Sequence, residues 1–240
     1  MEEKKTKGFN TNSDVYTVVY SCIIVIIVAF LLAFVFKGLK PLQEANESLD
    51  KKKQILAALN IRDIKDADVV AKYKEVILAD EIIDPSGAVI EAGTPGGEKA
   101  AFKLNGGDYK KDKLALYICK VEGETKYIIP VYGMGLWGPI SGYVAINSDK
   151  NTVYGAYFTH ESETAGLGAE IKDDVSWQQK FQGKKLFAEN GEKIALSVVK
   201  KVENPVNQVD GITGATLTCN GVTDMFSECF AKYHKFLTDK

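Results

Sequence analysis

Apolar residues are distributed in two ways along this chain: one uninterrupted run near the start, then short periodic segments. From Val15 to Phe36 the run reads VYTVVYSCIIVIIVAFLLAFVF, 22 residues without a charge. As a helix at ~1.5 Å per residue it spans about 33 Å, enough for a hydrocarbon core. A secretory signal peptide would have a shorter apolar region and a small-residue cleavage site, and FKGLKPLQEANE offers none. The pattern predicts a retained transmembrane anchor over 15–36 in contact with the lipid bilayer, preceded by a tail, 1–14. The span holds no carboxylate, which argues against an ion site inside it. Lys4, Lys5 and Lys7 before it nearly balance Lys37 and Lys40 after it, so charge alone does not orient it.

Beyond the anchor the periods shorten. Leu42, Ala45, Leu49, Leu56 and Leu59 suit a membrane-proximal helix within 37–60, and 66–78 reads as a second helix. Asp84-Pro85-Ser86-Gly87 is a turn signal, and the Gly- and Lys-rich stretch 91–113 reads as a solvated loop. Leu114–Val121 and Lys126–Val131 around Glu122-Gly123-Glu124 predict a hairpin, as do Tyr143–Ile146 and Val153–Phe158 around Asn147–Asn151. A short helix over 175–181 and a strand over 194–200 come next. Val222, Met225, Phe226, Cys229, Phe230, Tyr233 and Phe236 recur at three- and four-residue steps, the signature of an amphipathic C-terminal helix. The expected fold is α+β: one transmembrane helix, then a single mixed α/β soluble domain over 61–240 with an antiparallel-rich sheet.

Charge narrows the partners. Thirty basic against thirty-two acidic residues leave a net charge of -2, without the basic field that nucleic acid requires. Arg62 is the sole arginine, so a bound anion must rely on backbone N–H groups, hydroxyls or a covalent bond. Cys22, Cys119, Cys219 and Cys229 show no metal-ligand spacing and read as structural.

Three segments carry candidate chemistry. Gly133–Gly138 matches G-x-G-x-x-G, but that fingerprint needs a helix after it, and Pro139 with a strand comes instead. The glycines better suit a tight loop that aims Trp137, or Trp137 is simply a core residue. In His160–Gly168, Gly166 and Gly168 let backbone approach a flat ligand with Leu167 against its face, while Thr164 and Glu163 add a hydroxyl and a carboxylate; a plain strand-to-helix connection is the alternative. Asp210–Thr218, DGITGATLT, leads into the C-terminal helix with Thr218 or Asn220 as N-cap. Its small residues expose Thr216 beside the positive end of the helix dipole, where a phosphate is stabilised without arginine. A capped helix with a glycine-rich lead-in is the alternative there.

Asp210-x-x-Thr213-Gly214-Ala215-Thr216 also fits, at every specified position, the motif modified by flavin transferases. With the N-terminal span, Gly135-Leu136-Trp137-Gly138 and His160-x-x-Glu163-Thr164-x-Gly166-Leu167-Gly168 in the same order, the chain resembles the C subunits of the sodium-translocating NADH:quinone oxidoreductases (Nqr), a family of covalent FMN-binding domains. The resemblance implies FMN joined by a phosphoester to Thr216 and delivered from FAD by a flavin transferase. It also implies a periplasmic domain anchored in the bacterial inner membrane, and partnership with the other subunits of an Nqr-type redox complex. It places Gly214, Ala215, Leu217 and Thr218 on the phosphate side and Thr164, Gly166, Leu167 and Gly168 along the isoalloxazine, with Glu163 orienting that loop and Trp137 near it. Where the family usually has proline this chain has Ala165, which frees φ there. The homologous flavin-carrying G protein of the Rnf electron-transport complex shares the motif and the anchor, and a cofactor-free tethered binding module would carry neither FMN nor a modified Thr216.

Overall fold

The computed structural model describes residues 13–188, 191 and 193–239. The chain divides into two units, Met1–Ser48 and Leu49–Lys240. In the first, the described residues are almost all helical, the opening part of α1 (Asp14–Ala58), which is long and apolar enough to cross a membrane. Its apolar side chains, Val15 through Phe36 among them, are exposed, as lipid contact requires. Pro41 lies inside the helix, so the run predicted over 42–59 is a continuation of the same helix.

The second unit is a sheet with helices on both faces. After the last turns of α1 come α2 (Asp66–Val76), β1 (Ile77–Ile83) and β2 (Val89–Glu91). Next are a short helix α3 (Gly106–Tyr109) and four long strands: β3 (Leu114–Val121), β4 (Glu124–Met134), β5 (Pro139–Asn147) and β6 (Val153–His160). All pair antiparallel in the order β2-β1-β3-β4-β5-β6. Beyond the sheet lie α4 (Glu170–Asp173), α5 (Val175–Gln179), the parallel pair β7 (Ser197–Val199) and β8 (Gln208–Asp210), then α6 (Thr216–Lys232) and α7 (His234–Thr238).

Alternation along β3 shows how the sheet is buried twice. Leu114 and Leu116 enter a core shared with Val222, Phe226 and Phe230 of α6, while Ala115, Tyr117 and Cys119 enter one shared with Ile55, Leu59, Val69 and Tyr73 of α1 and α2. In the β3–β4 hairpin Glu122 and Gly123 both take positive φ (53° and 85°), the conformation of a two-residue type I′ turn.

Four expectations need correction. The second helix ends at Val76, because Ile77 starts β1 and its side chain joins the buried sheet face. Residues 91–113 are not simply a solvated loop: Gly96, Gly97, Ala100 and Ala101 are buried. The fully buried Asp80 carboxylate holds them, accepting N–H bonds from Ala100 (2.8 Å), Phe102 (3.2 Å) and Thr94 (3.4 Å). The hairpin strands also run farther than expected, β4 to Met134 and β5 from Pro139, joined by 135–138. Gly133 had marked a loop, but it is a strand position packed under α6, where a Cβ would meet Met225 Cβ at 2.7 Å. Finally, the strand over 194–200 shrinks to Ser197–Val199, with Ile194 in an isolated bridge to Phe187, and its partner β8 is parallel.

Candidate flavin site

α6 starts at Thr216, two residues before the expected cap at Thr218 and four before Asn220. Gly214 takes a φ of +85° and Ala215 occupies the N-cap position with no side chain to cap the helix. The first intrahelical bond is Cys219 N–H to Ala215 O at 2.9 Å, which leaves the N–H groups of Thr216, Leu217 and Thr218 ahead of the hydrogen-bonded ladder. Thr213, Gly214, Thr216 and Leu217 are exposed. Thr218 turns inward instead, fully buried, and its hydroxyl donates to Glu163 Oε2 at 2.6 Å. Thr218 is thus a tie between segments, and capping is left to whatever occupies the helix start.

Glu163 collects three segments. Besides the Thr218 hydroxyl, its carboxylate accepts the Trp137 N–H at 2.9 Å from the 135–138 turn, and its own N–H donates to His160 Nδ1 at 3.2 Å. That bond makes His160 Nδ1 an acceptor, a structural role for this histidine. The fit is close: a Cβ at Gly168, where φ is +147°, would meet Thr218 Oγ1 at 2.5 Å. The two outer loops abut as well, since a Cβ at Gly214 would meet Gly166 O at 2.9 Å.

Around this buried tie the surface is apolar and open. Leu136, Trp137, Leu167 and Leu217 are exposed, Trp137 by 64% of its surface, so Trp137 is not a core residue. The buried tryptophan is Trp177, whose Nε1–H donates to Asp210 O at 2.8 Å. Thr164, Ala165 and Gly166 are likewise exposed, and Leu167 N–H and Ala169 N–H both bond Thr164 O, at 2.9 and 3.2 Å. Every sequence-derived candidate therefore falls on one of three adjoining segments: 135–138, 163–168 or 213–218.

Two residues escaped the sequence reading. The Glu170 carboxylate accepts N–H bonds from Gly166 and Gly168, and bonds from its own N–H and theirs hold it below the usual carboxylate range. An acidic residue four positions after a loop glycine, at a helix start, was the available signal. Lys180 pairs with Asp210 at 2.8 Å, and that hydrogen bond holds the Asp210 carboxyl low. The cysteines are free and, outside the span, buried; burial raises the Cys219 thiol, and its sulfur accepts the Ile212 N–H at 3.3 Å.

Beside the exposed hydroxyl lies a cleft of about 450 Å³ lined by Val199, Lys200, Thr213, Gly214, Thr216 and Asn220 among others. Its size suits a small-molecule group. Free helix N–H groups, an accessible hydroxyl and an adjoining apolar rim fit the phosphate and flat ring of FMN.

Relatives agree with that chemistry. The FMN-binding domain family matches residues 135–231, which include all three segments and nearly all of α6. The C subunit of the Na(+)-translocating NADH-quinone reductase from Haemophilus ducreyi is 32% identical, the match covering 92% of this chain and 91% of that protein. Its counterpart from Neisseria meningitidis serogroup B is 33% identical, with 94% and 93% covered. Among solved structures, the C subunit from Parabacteroides distasonis is 37% identical, with a TM-score of 0.74 over 84% of this chain and 98% of that one. The Shewanella oneidensis NqrC structure shares the fold at 23% identity and a TM-score of 0.66, covering 80% and 97%. By sequence over nine-tenths of its length, the chain belongs to the NqrC family, the C subunits of the Na(+)-translocating NADH-quinone reductase.

Proposed function

We propose that this chain is the electron-carrying flavin subunit of an Nqr-type membrane NADH:quinone oxidoreductase that couples electron transfer to Na+ export, with FMN joined by a phosphoester to Thr216. One observation carries the attachment site: Thr216 is exposed at the first position of a 17-residue helix whose leading N–H groups have no side-chain cap. Thr218, two residues on, is the obvious competing hydroxyl, but it is buried and committed to Glu163.

FMN, when bound, supplies the redox chemistry, and the protein supplies attachment, packing and electrostatics. The main chain at Gly214, Ala215, Leu217 and Thr218 faces the phosphate side, where the helix dipole favours negative charge. Thr164, Gly166, Leu167 and Gly168 line the ring, Glu163 holds that loop against α6, and Trp137 forms the rim. A covalent tether suits so open a site, because a dissociated cofactor outside the cytoplasm is not readily replaced.

This reading divides the chain into a cytoplasmic tail (1–14), an inner-membrane anchor (15–36), a membrane-proximal helix (37–60) and a periplasmic FMN-binding domain (61–240). A flavin transferase using FAD loads the domain, and the partner subunits of the complex carry electrons to and from it. The chain alone is not expected to oxidise NADH: 135–138, its one dinucleotide-like motif, is a hairpin turn with Gly135 N–H bonded to Gly138 O at 2.8 Å.

Intact mass of the native, membrane-extracted chain, with in-gel flavin fluorescence, tests the proposal. The expected result is a gain of one FMN less water that is lost in Thr216→Ala. An unmodified chain from cells with an active flavin transferase would overturn it.

A further inference from the structure

β7 and β8 form a two-stranded parallel pair whose register sets Val199 against Asp210, and Gly211 N–H donates to Val199 O at 2.8 Å. Such a pair is too short to contribute much stability, but it fixes the residues that leave each strand. After β8 comes the Gly211–Ala215 lead-in to Thr216; after β7 comes Lys200. The pairing thus brings Lys200 alongside the attachment loop from a part of the chain outside the flavinylation motif. Among the described residues lining the cleft at Thr216, Lys200 carries the only charged side chain; the others are apolar, glycine, hydroxyl-bearing, amide or thiol residues. Lys200 is exposed and makes no ion pair among the described residues, whereas Lys180 on the other flank of the motif is committed to Asp210 at 2.8 Å. The neighbouring Lys201 does not line the cleft.

We infer that Lys200 is a phosphate-positioning residue for the loading of Thr216: its ammonium engages the diphosphate of the flavin dinucleotide while the hydroxyl is modified. The inference rests on the proposed attachment. In that reaction the Thr216 oxygen forms a bond to the phosphorus nearer the flavin, and the bond from that phosphorus to the bridging oxygen breaks. AMP leaves with the electron pair, and the hydroxyl proton passes to a base of the transferase. No oxidant or reductant is needed. The helix N–H groups are partial charges fixed in place, and a diphosphate carries more charge than the phosphodiester that remains. A mobile full charge at the cleft wall therefore matters most while the donor is bound. Lysine suits this role as a point charge on a flexible stem, able to follow a phosphate that changes position during transfer.

The test is a time course of loading. Full-length chain made without flavin transferase is purified in detergent, mixed with purified transferase and FAD, and followed by intact mass and covalent flavin fluorescence. Removing one charge-assisted contact slows loading about tenfold or more in Lys200→Ala. Lys200→Glu is slower still, and Lys200→Arg recovers most of the rate. Raising salt slows the wild type and narrows its lead over Lys200→Ala. Lys201→Ala loads as the wild type does. If Lys200→Ala and Lys200→Glu load at the wild-type rate while Thr216→Ala takes up nothing, the inference is overturned and the attachment stands. Equal slowing by Lys201→Ala overturns it too, because the effect is then one of general surface charge. If Thr216→Ala is loaded like the wild type, the attachment site itself is wrong and the role of Lys200 falls with it.

Discussion

Two buried carboxylates organise two loop regions of this domain, and they do so to different ends. Asp80, on β1, gathers the main-chain N–H groups of Thr94, Ala100 and Phe102, all from one connecting segment, and is fully buried beneath it. Glu163 gathers the Trp137 N–H and the Thr218 hydroxyl, from a hairpin turn and a helix distant in sequence. The first site is closed: its ligands are backbone, and Ala100 and Ala101 are buried with it. The second is open, with Leu136, Trp137, Leu167 and Leu217 left on the surface around it. A buried carboxylate that pins one loop to a sheet makes structure. One that ties three segments together under an apolar rim prepares a surface for something else to cover.

Substitution separates the two. Asp80→Ala strands three N–H groups in the interior and is expected to cost about 3 kcal/mol or more, read as a fall in denaturation midpoint. A sample still folded at low temperature would nevertheless load flavin at Thr216. Glu163→Ala removes fewer bonds and is expected to cost about 2 kcal/mol. It frees Thr218 and the 163–168 loop, so its flavin fluorescence and midpoint potential should change even in fully loaded protein. Equal flavin properties in Glu163→Ala and the wild type would show the tie to be structural, like the one at Asp80.

Acid gives a smaller contrast. The Glu170 carboxyl is held low by its own N–H and those of Gly166 and Gly168. A folded value below the unfolded one contributes stability above the unfolded pKa, and that stability is lost as pH falls through the folded value. Thermal melts from about pH 6 to about pH 3 should therefore show a shallower acid decline for Glu170→Gln than for the wild type. Least of all in stability comes Trp137→Ala: a side chain so exposed should shift it by no more than about 0.5 kcal/mol. Its effect belongs in the spectrum of the loaded flavin, and a spectrum identical to that of the wild type would remove Trp137 from the site.

Much of this was legible in the sequence, for physical reasons that also explain the gaps. The stripe from Val222 to Tyr233 announces a helix because one face is buried against the sheet, and Glu122-Gly123 announces its turn because few residues accept positive φ. Leu78 was assigned to a helix because a short apolar run following a helix has no period to separate strand from helix; β1 exists only through pairing with β3. Asp80 gave no local sign of its role, since its partners lie 14 to 22 residues away. At the site, the motif marked Thr216 and the exposed glycines marked the 163–168 loop. The inward turn of Thr218 depends on Glu163, and Lys200 comes alongside only through the β7–β8 pair, contacts between residues far apart in sequence.

The position of α6 in the chain sets an order of events during synthesis. The sheet face bearing Leu116, Val131 and Val144 is covered by Val222, Phe226 and Phe230 of α6, which leave the ribosome well after β6. Until then the strands can pair but one core stays open to water, and neither the Thr218–Glu163 bond nor the start of α6 exists. Domains fold as units when their last covering element arrives. Modification of Thr216 is therefore a late event, and the loaded threonine doubles as a record that the domain around it was completed.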